Sequence, residues 1–288
     1  MTHNSVQRFL LEDLDIRGAV VHLGSVWKQL LSNRDYPAPI VELLGQMSVT
    51  TLLLADNLKQ PGRLTIQLRG EGPVTLLVID CDEALNLRCM AQFGKNIQAA
   101  ALVDLLGQGQ LMISLDLPSM REPYQSVVPL VGHSIAEIFE HYLTHSEQLA
   151  SRFFLAASTS AAGGLFLQKM PSTDQRDADG WARLEALAGT VQPKELLELS
   201  SESLLTRLFN QETVRLFDAQ SVTHNVPENR EKIATLLLSL GRDEAYAALK
   251  ERSVIVIRDD LSNHEYRFSK ADLDELFRNT PETPPTVH

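Results

Sequence analysis

The chain has 288 residues, 44% of them hydrophobic and 22% charged, with a formal net charge of −11 and two cysteines. That length holds one large domain or two smaller ones with ample core. The acidic balance speaks against a nucleic-acid partner, because phosphate backbones select basic surfaces. The opening MTHNSVQRFLLEDLDIRG lacks the basic segment and apolar run of a signal peptide, and no stretch approaches about 18 uncharged apolar residues. The expectation is a cytoplasmic protein with no membrane span.

Residues 1–171 mix strands and helices. Val6–Leu11 and Ile16–His22 read as strands, and Ser25–Leu31 as a short helix with Ser25 at its N-cap. Pro39 opens a long helix that runs through Leu43, Leu44, Met47, Leu52 and Leu53 to about Leu58. RLTIQLRGEGPVTLLVID gives two strands around the turn Gly70-Glu71-Gly72-Pro73. A further hairpin joins Val74–Asp80 to Leu85–Gln92 through Asp82-Glu83-Ala84, which pairs Cys81 with about residue 86 and leaves Cys89 several residues out of register. The two sulfurs then lie too far apart for a disulfide and are expected to be structural thiols. Strands follow at Gln110–Leu115 and Tyr124–Val131. Ser134 with Glu137 forms a capping box for the helix Ile135–His145, and strands at Arg152–Ala157 and Leu165–Lys169 precede Pro171.

From 172 to 220 the pattern becomes helical and interrupted, with segments Trp181–Leu187, Lys194–Leu199 and Ser203–Phe209 broken by Gly189, Pro193 and Ser200-Ser201. Acidic side chains outnumber basic ones here, yet leucines and Phe209 form apolar stripes that must dock on something. Docking on the chain's own N-terminal domain is one reading and a switchable binding surface is the other. The candidate surface comprises Leu196, Leu197, Leu204, Leu205, Leu208 and Phe209.

A last lobe spans 221–279. Asn229–Leu240 is a helix with Ile233, Leu236, Leu237 and Leu240 on one face, ended by Gly241, and Asp243–Lys250 is a second. SVIVIRDDLSNHEYRF, residues 253–268, reads as a hairpin, with Val254, Val256, Tyr266 and Phe268 counted toward the lobe's core. Ser269 with Asp272 caps a final helix, Lys270–Arg278, and the proline-rich tail 280–288 is expected to be disordered. The fold class is α+β: a mixed α/β N-terminal domain, a helical linker and a small helix-hairpin-helix lobe.

No catalytic constellation is found. Gly70-Glu71-Gly72-Pro73 and Gly163-Gly164 have neither the helix nor the lysine of a phosphate loop, and no nucleophile has a base and an orienting group, so no enzyme is expected. His141 and His145 share a helix face without an evident third metal ligand. Asp259, Asp260 and His264 on the hairpin, with His224 and Glu228 before the lobe's first helix, are oxygen and nitrogen donors at no fixed spacing. No cofactor and no metal are expected.

In order, Asp15-Ile16-Arg17-Gly18, LLLADNLK (52–59), LTIQLRGEGPV (64–74), PYQSVVPLVG (123–132) and SEQLASRFFL (146–155) resemble the 33-kDa redox-regulated heat-shock chaperones of bacteria. AAGGLFLQKMP (161–171), LLTRLFNQETVRLF (204–217), LLLSLGRDEA (236–245) and NHEYRFSKADLDELF (263–277) continue the resemblance to the end of the lobe. It implies an ATP-independent holdase that binds unfolding proteins, with a C-terminal switch in which a C-x-C pair and a C-x-x-C pair hold one zinc until oxidation releases it. This sequence carries Val226 and Glu228 at the first pair, and Asp259 and Ser262 at the second. The set lacks every thiolate, so the switch is expected to be neither zinc- nor thiol-regulated. A structural zinc contributes roughly 10–16 kcal/mol to a small domain that folds around it, and that stability must come from elsewhere here. Unfolding client proteins are the expected partners, with a homodimer as a further assembly to test. The rival reading is a specific protein-binding module that has lost general client capture.

Overall fold

The computed structural model describes residues 4–58, 60–251 and 253–278. The tail 280–288 lies outside them. Two compact units divide the chain, Met1–Asn225 and Val226–His288, so the break falls beyond Ser221, and the helical linker belongs to the first unit.

In chain order the first unit runs β1 (Ser5–Leu11), β2 (Ile16–Leu23), α1 (Ser25–Leu31), α2 (Ala38–Asp56), β3 (Arg63–Gly70), β4 (Val74–Cys81), β5 (Leu87–Phe93), α3 (Leu102–Leu106), β6 (Gly109–Asp116), β7 (Tyr124–Pro129), α4 (Ile135–Ser146), β8 (Ser151–Ala157) and β9 (Ala162–Lys169). The linker adds α5 (Thr173–Arg176), α6 (Gly180–Ala188), α7 (Pro193–Glu198), α8 (Ser201–Leu208), β10 (Val214–Leu216) and β11 (Gln220–Ser221). One antiparallel sheet has the order β10-β1-β2-β9-β8, with β11 also on β1, and a second has the order β5-β4-β3-β6-β7.

Helix α2 is long and apolar enough to cross a membrane by length and composition, yet two thirds of it is buried inside this unit. It packs against β2, β8 and β9 of one sheet and β3, β4 and β5 of the other. Alternation in the strands makes the first sheet two-faced. Val6, Ala19, Val21 and Phe166 join Trp27, Leu44 and Met47 on the α2 side. Phe9, Leu11, Ile16, Val20, Leu165 and Leu167 point the other way.

Two caps differ from expectation. Ser25 is the first residue of α1 rather than its N-cap; the Asn4 carboxamide oxygen accepts from Gly24 N at 2.8 Å and Val26 N at 3.0 Å instead. At α4, Ser134 caps as expected by accepting from Glu137 N at 3.1 Å, but Glu137 reaches back to His133 N rather than to Ser134 N.

The second unit contains α9 (Arg230–Leu240), α10 (Arg242–Glu251), the hairpin β12 (Ile255–Asp259) and β13 (His264–Phe268), and α11 (Lys270–Arg278). Its core is Ile233, Leu237, Ala245, Tyr266, Phe268 and Leu273, flanked by Leu249, Ile255, Ile257, Leu276 and Phe277. Leu236 and Leu240 are half exposed, at 52% and 50%, so the buried stripe of α9 is narrower than its leucines suggest. The hairpin phase also differs: Ile255 and Ile257 face inward, and Val256 is 49% exposed. Four consecutive β-branched residues carry no alternation to read, and the cross-strand partners Tyr266 and Phe268 decide the face. Ser269 and Asp272 form the expected capping box on α11.

Candidate functional site

Linker helices cover the second face of the first sheet. Pro193 starts α7, where Glu195 accepts from Gln192 N at 2.8 Å, and Ser200 caps α8 by accepting from Ser203 N at 3.2 Å. These caps orient the apolar stripe inward. Leu184, Leu196, Leu204, Leu205, Leu208 and Phe209 are buried with Phe9, Leu11, Ile16, Val20, Leu165 and Leu167, and Leu197 is partly buried beside them. The Phe9 and Phe209 rings meet at 6.3 Å between centroids. Every residue of the candidate surface is therefore brought to one place, docked on the chain's own sheet.

Gly163 belongs to this dock, whereas its neighbour Gly164 faces Val49 of α2 on the other side of the sheet. A Cβ on Gly163 would lie 2.1 Å from the Leu196 carbonyl oxygen of α7, so the bare backbone of β9 is what lets the helix approach. Polar ties frame the contact. Arg152 on β8 bridges Glu140 of α4 at 2.8 Å and Glu185 of α6. Burial pushes the Glu140 carboxyl up, against the lowering pull of Phe153 N and the Arg152 guanidinium. Asp15 accepts from the Ser172 hydroxyl, its carbonyl accepts from the Thr173 hydroxyl at 2.9 Å, and Arg176 donates to the Glu12 carbonyl at 2.6 Å.

Beyond α8 the chain continues as a strap along the edge of β1. Val214–Leu216 pairs with Phe9–Leu11 and Gln220–Ser221 with Ser5–Val6, both antiparallel. Sequence reasoning missed these strands because they are three and two residues long and their partner lies some two hundred positions upstream. The alternation in Val214-Arg215-Leu216-Phe217 was the available signal.

The second unit places the four switch positions close to hydrogen-bonding groups, not to a metal-ligand set. Asp259 accepts from Leu261 N at 3.0 Å and Ser262 N at 3.3 Å, and its carbonyl accepts from Asn263 N at 2.7 Å. Asn263 closes the turn at φ 63°, a conformation asparagine tolerates well. Burial opposes the Asp259 charge, but hydrogen bonds from the Ser262 hydroxyl and the two turn amides outweigh it and hold the carboxyl below its ordinary range. Across the fold, His264 Nε2 donates to the Val226 carbonyl at 2.7 Å, and Asn229 N donates to the Tyr266 hydroxyl at 2.9 Å. Two hydrogen bonds thus join the segment before α9 to the hairpin.

Zinc of the structural kind takes thiolates and imidazoles in a tetrahedron. Val226 offers no donor, Glu228 is exposed, Asp259 is engaged by the turn and Ser262 is buried within it. These residues do not fit the metal. Among the described residues no three His, Cys, Asp or Glu side chains converge on a common point. His224, in the first unit, donates from Nδ1 to the Leu87 carbonyl at 2.8 Å. His141 and His145 stack at 3.9 Å, and His145 donates to the His141 carbonyl.

Cys81 faces Leu87 and Cys89 faces Ile79 across the β4–β5 ladder, and both thiols are free and buried. Burial, reinforced by Asp82 and Asp80, pushes Cys81 up to about 12. Burial likewise pushes Cys89 up to about 11. A thiolate is the reactive form, so both are poor oxidation targets in the folded chain.

A family model described as "Hsp33 protein" matches residues 4–269. A 33 kDa chaperonin of Methylobacillus flagellatus is 39% identical over 274 residues, covering 94% of each chain. One from Ectopseudomonas mendocina is 40% identical, again over 94% of each chain, and one from Vibrio cholerae is 35% identical over 100% of both. The crystal structure of the Thermotoga maritima Hsp33 homologue superposes with a TM-score of 0.81 at 23% identity, covering 96% of this chain and 98% of that one.

Proposed function

The chain belongs to the Hsp33 family, whose model spans residues 4–269; from that membership we infer a holdase, and from Val226, Glu228, Asp259 and Ser262 at the switch positions we infer that its client surface is released by heat rather than by thiol oxidation. Chaperone function is the family's. The finer reading is ATP-independent capture of unfolding proteins by the stripe of Leu196, Leu197, Leu204, Leu205, Leu208 and Phe209. One observation carries it: this stripe is docked on an apolar sheet face, so lifting the linker uncovers two apolar surfaces at once. Apolar area of that kind is what a chaperone offers to a partly unfolded client.

Regulation follows from the residues at the switch positions. Within the lobe, single hydrogen bonds such as His264 to Val226 hold the segment before α9 to the hairpin, and each contributes only about 0.5–1.5 kcal/mol, so the lobe is open to local unfolding on heating. Peroxide finds no thiolate in the lobe, since Cys81 and Cys89 both lie in the first unit. The net charge of −11 favours solubility while apolar surface is open.

A panel of unrelated aggregating clients tests the reading. A general holdase suppresses aggregation of several of them. A specific binding module, the second reading, suppresses none.

A further inference from the structure

The strap of β10 and β11 occupies the edge of a strand that carries buried side chains on both faces. In β1 these are Val6 on the α2 side and Phe9 and Leu11 on the linker side, although Arg8 is exposed. Its outer edge is closed by the linker alone among the described residues: Phe217 N donates to the Arg8 carbonyl at 3.0 Å, Glu12 N to the Thr213 carbonyl at 3.1 Å, and Val222 N to the Asn4 carbonyl at 2.9 Å. The pairing is broken into three residues and two, with Phe217, Asp218 and Ala219 between them exposed. The opposite edge of the sheet is treated differently. There the Glu140 carboxylate accepts from Phe153 N at 2.8 Å and α4 packs over β8.

An edge strand with free N–H and C=O groups is a template for another chain, and folded proteins normally hide such an edge. Here it is hidden by the same segment whose release would expose the apolar stripe. We propose that the freed edge of β1, from Asn4 to Glu12, takes up extended segments of unfolding proteins by strand addition, the strap being an internal stand-in for the client. This rests on the holdase reading. Backbone hydrogen bonds read no sequence, which suits capture of many clients, while alternate client side chains come to rest beside Phe9 and Leu11. Unfolded chains supply what the edge requires: extended backbone with unpaired amides and apolar side chains at intervals.

The test uses the full-length chain, heated mildly and mixed with reduced, carboxymethylated lactalbumin, which cannot refold. Site-resolved amide hydrogen exchange is followed at Arg8, Leu10 and Glu12 of β1 and at β10. Capture by strand addition keeps the three β1 amides about tenfold more protected than in the heated chain without client, while β10 amides lose protection. Leu10→Pro removes an edge amide, because Arg8 and Glu12 on either side point to the strap and β2 pairs through the alternate residues. It loosens the strap, so a linker-only mechanism would hold more client; strand addition instead lowers client affinity about tenfold. Exchange at β1 as fast as at β10 in the bound complex overturns the proposal, as does a folded Leu10→Pro chain that holds client as well as wild type. Should that variant not fold, the wild-type exchange decides alone. A wild-type chain that suppresses no aggregation refutes the holdase reading itself, a result distinct from both.

Discussion

Alanine at Gly163 places a methyl carbon where the linker now sits. The added Cβ would lie 2.1 Å from the Leu196 carbonyl oxygen and 3.0 Å from its carbon, both backbone atoms of the docked linker. Its other near neighbour, the Val21 carbonyl oxygen at 3.3 Å, needs to give by only a few tenths of an ångström. The strain therefore falls on linker docking and spares the sheet. Overpacking of this kind costs about 1–3 kcal/mol. At 1.4 kcal/mol per factor of ten, the undocked population rises roughly 5- to 150-fold. Suppression of client aggregation, measured against temperature, should therefore begin several degrees below the wild-type onset, and α7 amides should exchange faster by a similar factor. An unchanged onset together with unchanged exchange in α7 refutes the idea that docking against β9 sets the release.

Other outcomes follow from the same contacts. Leu204→Asp with Leu208→Asp spoils the linker's apolar stripe, so aggregation suppression should fall strongly while residues 1–171 stay folded; full activity in a soluble double mutant would move the client surface elsewhere. His264→Ala removes the bond to the Val226 carbonyl, about 1 kcal/mol, and should lower the melting of the second unit by about 4–8 °C in calorimetry. The depressed Asp259 carboxyl contributes stability that is complete above the ordinary aspartate value of 3.8 and is lost as pH falls through its lower folded-state value. Acid unfolding of the hairpin, followed by the NMR signals of the Tyr266 ring, should thus lose part of its pH dependence in Asp259→Asn. Elemental analysis should find well under one zinc per chain; stoichiometric zinc that disappears with His224 or His264 would contradict this.

Periodicity carried most of the fold. The strands β1 to β9, the long helix with Pro39 in its first turn and the caps at Ser134 and Ser269 were legible because each signal lies within a few residues of its effect. What escaped was non-local. Asn4 caps α1 across about twenty residues of chain, and the strap finds its partner only after the sheet is assembled. Gly163-Gly164 was visible as a pair, yet the two have different reasons, the Leu196 carbonyl for Gly163 and the Val49 side chain of α2 for Gly164, and no local pattern supplies either. At the candidate site the leucines of the linker were recognisable as a stripe that must dock, and their helical spacing said nothing of which sheet face receives them. The exchange of Val256 for Ile257 as core residue has the same origin, since alternation cannot be phased within a run of β-branched residues.

The measurement that bears most directly on a heat-released, thiol-independent chaperone compares aggregation suppression by the wild-type chain in dithiothreitol, in peroxide and after mild preheating. The buried thiols, held at about 12 and about 11, leave peroxide little to act on. Preheating should give the strongest suppression, with the reduced and peroxide-treated chains nearly equal. Strong activation by peroxide that is abolished by Cys81→Ser or Cys89→Ser would contradict the account and make those residues the sensor.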